Sequence, residues 1–134
     1  MAISGSTILE GAATVAASGG TAVTLTSLGA QNGKNVFIFS TDASALTART
    51  LTLGATLSRP NPSSPGGYTQ SRRTGAFAFP KVRADGTRGI STFKWECGFD
   101  IELTDAEIEA MCETSGQSIA AALFLPFYKT GNLS

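Results

Sequence analysis

This 134-residue chain has no histidine and only two cysteines, Cys97 and Cys112. Without histidine there can be no histidine-dependent triad and no histidine metal site. Two isolated thiols make neither a disulfide framework nor a zinc site. They read instead as two small buried hydrophobes. No apolar run reaches the ~20 residues that a membrane helix needs. The longest, 119–127, is interrupted by Pro126. The start Met1-Ala2-Ile3-Ser4 has neither the basic opening nor the apolar core of a signal peptide, so the expectation is a soluble chain, intracellular at synthesis. Also missing are a phosphate-binding glycine loop before a helix and a Gly-x-Ser-x-Gly elbow. Asp100 and Glu102 share a strand face, where ordinary solvated acids explain them better than paired catalytic carboxylates. The expectation is a protein that is not an enzyme and has no cofactor, no metal and no small-molecule substrate.

Charge is scarce but segregated. Eight of the ten basic residues lie within 49–94, against the single acid Asp85, a formal +7. Seven of the ten acids lie within 96–113 with no base among them, a formal −7. The net charge of zero hides a positive stretch followed by a negative one. That arrangement suits one face for a polyanion and another for protein contact.

At this length the chain is read as one domain, 1–134. Its fifteen glycines and many Ser and Thr residues favour β structure with tight turns. Gly19-Gly20, Asn32-Gly33, Gly66-Gly67 and Asp85-Gly86 each sit between alternating or β-branched runs, which signals hairpins. Strands are predicted over 7–16, 21–28, 34–40, 49–59, 69–80 and 89–103, in an antiparallel meander. Loops are expected at 41–48 and across Pro60, Pro62 and Pro65. Period-two alternation places Leu51, Leu53, Ala55 and Leu57 opposite Thr50, Thr52, Gly54, Thr56 and Ser58. Gly75, Phe77 and Phe79 likewise oppose Arg72, Thr74, Ala76 and Ala78. Phe93, Trp95, Cys97 and Phe99 oppose Thr92, Lys94, Glu96 and Gly98. Such a sheet is covered on one side only.

Thr104-Asp105-Ala106-Glu107 reads as a capping box, with Leu103 and Ile108 as a hydrophobic staple. Ile108, Met111 and Cys112 form an apolar stripe that Gly116 is expected to end. A second helix, over 118–125, is apolar almost all round and must be buried. Helices of about 12 and 8 residues span roughly 30 Å, whereas a six-stranded sheet is about 25–30 Å wide. One such pair covers only part of its own sheet. An obligate homodimer that exchanges helices across the sheet resolves the shortfall.

The block Arg72-Arg73-Thr74-Gly75-Ala76-Phe77-Ala78-Phe79-Pro80-Lys81-Val82, and the long strand that runs straight into the Thr104 helix, resemble the coat proteins of the small single-stranded RNA bacteriophages. The likeness of organisation covers nearly the whole chain, and the residue match is confined to 49–113. The resemblance implies an α+β fold: an N-terminal hairpin, a five-stranded antiparallel sheet, and two C-terminal helices interlocked with a second subunit. The homodimer then has one continuous ten-stranded sheet facing the particle interior. It implies assembly into an icosahedral capsid (T=3) around single-stranded genomic RNA, and repression of replicase translation through an RNA hairpin. It implies location in the virion, and in the host cytoplasm before assembly, with no membrane partner.

On the polar face the residues proposed to meet RNA are Thr50, Thr52, Thr56, Arg72, Thr74, Thr92 and Lys94, with Arg49, Arg59 and Arg73 at strand ends nearby. The resemblance assigns Thr50, Thr52 and Thr74 to pockets for unpaired adenines, although threonine on an exposed strand is also simply a good β former. Two departures weaken hairpin specificity. Ala76 stands where a base is expected, and the last strand offers no inner tyrosine, leaving Tyr68 as a substitute at a strand edge. Glu96, Asp100 and Glu102 oppose phosphate and steer RNA away from part of the sheet. Arg83, Asp85, Gly86 and Arg88 belong to a loop that, by the resemblance, meets its copies at symmetry axes. Ile108, Met111, Ile119, Leu123 and Phe124 are assigned to the dimer interface. The residues alone also allow a non-viral RNA-binding β-sheet dimer that forms no shell.

Overall fold

A computed structural model of the chain describes residues 22–42, 44, 47–120 and 124–131. The strand predicted over 7–16 and the turn at Gly19-Gly20 lie outside the described residues. The described sheet starts from the Asn32-Gly33 turn, where φ is 52° and 75°. Two successive positive φ values are what a two-residue primed hairpin turn requires. The turn joins β1, Leu25–Gln31, to β2, Lys34–Phe39, with Gln31 opposite Lys34. The register shifts between Ser27 and Gly29. There Gly29, at φ 85°, donates its N–H to Ser27 Oγ at 3.1 Å.

β3, Thr50–Thr56, is followed by β4, Ser71–Val82, and β5, Arg88–Phe99. All five strands pair antiparallel in chain order, the meander that the glycine punctuation predicts. The loop between β3 and β4 contains a 3-10 turn, Pro65–Gly67. Pro60 bridges to Tyr68 across the base of this loop.

Register makes the two faces explicit. Phe37, Leu51, Phe77 and Phe93 form one cross-strand row, and Asn35, Leu53, Gly75 and Trp95 form the next. The Phe77 ring lies 5.5 Å from Trp95, 5.8 Å from Phe79 and 6.2 Å from Phe39, centroid to centroid. The Trp95 indole lies across Gly75, where a Cβ would penetrate the ring. Yet Ala48, Leu51 and Phe99 are the buried apolar residues among those described. Phe79 and Phe93 are 40% and 37% exposed. A sheet with this much aromatic surface and so few buried side chains leaves apolar area in water when the chain is alone.

The sheet lies in one compact unit, 20–101, and both helices lie in a second. In the second, α1 spans Asp105–Ala120. Thr104 caps it as the sequence predicts. Its Oγ1 accepts the Glu107 N–H at 3.3 Å, and its carbonyl accepts the Ile108 N–H at 3.0 Å. Asp105 and Glu107 complement the dipole of the first turn.

Gly116 does not end this helix, contrary to expectation. A helical glycine costs only ~1 kcal/mol relative to alanine, which the turns on either side outweigh. The terminator is further on. Pro126 opens α2, Leu125–Thr130, and Gly131 at φ 71° closes it, donating its N–H to the Phe127 carbonyl at 2.7 Å. The predicted 118–125 helix is therefore divided. Ser118, Ile119 and Ala120 finish α1, Leu125 starts α2, and Ala121, Ala122 and Leu123 lie outside the described residues.

Candidate nucleic-acid interface

The face opposite the aromatic cluster carries the threonines of β3, β4 and β5 and most of the strand cations. Thr50, Ala78 and Thr92 form one row across β3, β4 and β5. Val36, Thr52, Ala76 and Lys94 form the next. Gly54, Thr74 and Glu96 follow, then Thr56, Arg72 and Gly98. The structure thus brings Thr50, Thr52, Thr56, Arg72, Thr74, Thr92 and Lys94 onto one surface, as expected. Val36, Ile38, Ala76 and Ala78 share it, so it is less polar than the outer strands suggest.

A shallow concavity of about 470 Å³ lies at its centre, bordered by Lys34, Thr52, Thr74, Lys94 and Glu96. Lys34 was missed by the sequence reading. Its side chain lies over Gly54, with Cγ 3.1 Å from where a Cβ would stand. Arg72 donates from Nη1 to Glu96 Oε1 at 2.7 Å, with the two side chains 58% and 54% exposed. An exposed pair of this kind contributes about 0–1 kcal/mol.

Arg49 does not belong to this surface. Its guanidinium grips Asp42 through Nε at 3.0 Å and Nη2 at 3.1 Å, and its backbone N–H reaches the same carboxylate at 2.7 Å. It also lies 4.6 Å above the ring of Phe39, a member of the aromatic cluster on the other face. Strand alternation decides this, because Arg49 has the parity of Leu51, not of Thr50. Arg73 is on the aromatic side for the same reason. It stands opposite Ala55 and Cys97 on the aromatic side, donating to the carbonyls of Thr56 and Arg72 at 3.4 Å and 3.1 Å. Arg59 and Tyr68 lie outside the five strands.

Hydrogen bonds from the Arg49 side chain, then from its backbone N–H, hold the Asp42 carboxyl below the usual carboxylate range. A carboxyl lowered in the folded state stabilises that state above its unfolded pKa, and the contribution fades as pH falls through the folded value. Asp42→Asn should therefore shift the urea midpoint downward at neutral pH. The gap to the parent should close below about pH 3.9. A gap that ignores pH would show the carboxylate to be irrelevant.

The loop between β4 and β5 is a closed hydrogen-bonded turn. Arg83 donates its N–H to the Thr87 carbonyl at 2.7 Å, and Gly86, at φ 85°, donates to the Arg83 carbonyl at 3.0 Å. Asp85 Oδ1 accepts from Thr87 Oγ1 at 2.6 Å and from its N–H at 3.0 Å, which lowers the Asp85 pKa. Arg83 Nη1 also donates to Thr87 Oγ1 at 3.0 Å. Arg88, assigned to the loop by sequence, is the first residue of β5 and pairs with Val82. In the helical unit Ile108 and Phe124 are half-buried, Met111 and Ile119 are exposed, and Leu123 lies outside the described residues.

No family profile matches this sequence, and no curated protein sequence matches it. Structure reaches further. The chain superposes on a solved structure described as the virus-like particle of bacteriophage GQ-907, with a TM-score of 0.86 at 20% identity. The match covers 99% of this chain and 100% of the other. At that identity it is a likeness of fold: a five-stranded antiparallel sheet followed by C-terminal helices.

Proposed function

We propose that this chain is a structural subunit of an RNA-bacteriophage shell and that it packages single-stranded RNA against the threonine- and lysine-bearing face of its sheet. The observation that carries the proposal is the full-length fold match to a protein that forms a virus-like particle. Two features of the chain support it. β5 is a twelve-residue strand at the edge of the described sheet. The aromatic face is only partly covered in the isolated chain.

Pairing the β5 edges of two copies extends each sheet into one of ten strands. The C-terminal helices of the pair, with Ile108, Met111, Ile119, Leu123 and Phe124, supply the missing cover. The homodimer is then the building block of an icosahedral T=3 capsid, and the Arg83–Arg88 turns meet around its axes. The opposite face, with Lys34, Lys94, Arg72 and the threonines, turns inward. Its cations neutralise phosphates, so RNA binding weakens as salt rises. Binding of a hairpin at the replicase start, and repression of its translation, is the regulatory use of the same face. The protein acts as a scaffold in the virion, synthesised in the host cytoplasm, and performs no catalysis.

The test is expression of the full chain by itself, followed by sedimentation, electron microscopy and the ratio of absorbance at 260 and 280 nm. Closed shells containing host RNA are expected. RNA-binding dimers that never close into shells would favour a non-viral binding module. A monomer at every salt and concentration would remove the proposal altogether.

A further inference from the structure

Glu96 is the only carboxylate within the five strands. It stands on the edge strand of the surface assigned to RNA, where it borders the concavity. Its cross-strand partner is Thr74, Lys94 lies two residues away on the same face, and Arg72 sits on the diagonal. Its Oε1 is 2.7 Å from Arg72 Nη1, the separation of a charge-assisted hydrogen bond. Its carboxylate therefore offers Arg72 what an RNA phosphate would offer, an anionic oxygen in line with the guanidinium.

We propose that Glu96 is a built-in competitor for RNA phosphate on this face: single-stranded RNA engages Arg72 only by displacing Glu96. The inference rests on the reading of this face as the RNA surface. The pair is exposed, so it is weak enough to open. Closed, it withholds one cation of the face and places a negative charge beside Thr74 and Lys94. The competitor lowers the affinity of a single face for passing RNA. Retention then depends on many faces acting on one strand, which favours long RNA inside a shell over short fragments outside it.

The experiment measures binding of a short single-stranded RNA of mixed sequence to the unassembled full chain across a salt series. The chains compared are the parent, Glu96→Gln, Arg72→Gln and the double variant. Glu96→Gln should bind about two- to fivefold more tightly at low salt. Its plot of log K against log salt should steepen by about 0.7, because Arg72 neutralises one more phosphate. In the Arg72→Gln background the steepening should be absent. No gain on Glu96→Gln, or an equal gain in both backgrounds, overturns the inference while leaving the RNA surface intact. A parent chain that binds no RNA at any salt overturns the surface itself, and the competitor with it.

Discussion

Gly75→Ala is expected to cost roughly 3 kcal/mol of folding stability, among the larger penalties a single added methyl can bring. Gly75 is buried mid-strand in β4, directly opposite Trp95 on β5. A Cβ there would fall far inside the 3.0 Å that real Cβ atoms respect, against three atoms of the indole. Phe77 packs against the ring at 5.5 Å, so any displacement of the indole disturbs that contact as well. Glycine is required here by close approach, not by backbone conformation. Trp95 is the only tryptophan in the chain, so its fluorescence reports directly on the collision. Urea titration should show a lowered midpoint. In a Trp95→Leu background, followed by circular dichroism, the same alanine should cost at most about half as much, as expected for coupled neighbours. An unshifted midpoint for Gly75→Ala would mean that the ring does not rest on this residue.

Removing Lys34 and Lys94 together should weaken RNA binding by about ten- to a hundredfold at low salt, and should flatten the salt dependence by about 1.4 in log–log slope. Both lysines border the central concavity of the proposed RNA face, on β2 and β5. Both are surface positions, so folding stability should stay within about 0.5 kcal/mol of the parent. Arg49→Gln is the informative contrast. It deletes a cation, but one that is bound to Asp42 and stacked over Phe39 on the far side of the sheet. It should lower stability and leave the RNA salt slope unchanged. If Arg49→Gln flattens the slope as much as the lysine pair does, RNA does not distinguish the two faces.

Turn chemistry and alternation made most of this fold legible. Asn32-Gly33 and Asp85-Gly86 mark the tips of two hairpins because few residues other than glycine and asparagine accept positive φ. Strict alternation in β3, β4 and β5 is enough by itself to set the threonines, Arg72 and Lys94 on one face. The failures have equally local causes. β2 carries Val36 and Ile38 on one face and Phe37 and Phe39 on the other, so alternation alone gives it no orientation. Only its register with Thr52 and Leu51 sets Lys34 on the same face as Thr52 and Lys94. Arg49 and Arg73 were placed by proximity, when their parity along the strand already set them on the aromatic side. Gly116 was overread as a stop, since helix context tolerates one glycine where Pro126 is not tolerated further in. Glu96 was legible as an acid opposing phosphate, but its engagement of Arg72 needed the diagonal between β4 and β5.

Each strand of the described sheet pairs only with those adjacent to it in sequence. Within this sheet, each strand that leaves the ribosome can therefore pair with the one just made, without waiting for a distant stretch of chain. Topologies of such local kind fold quickly. If the chains assemble as proposed, the slow stage is left to encounters between finished copies, which speed up as they accumulate. A cell making this polypeptide in quantity would move from scattered subunits to ordered clusters on a timetable set by synthesis rather than by folding.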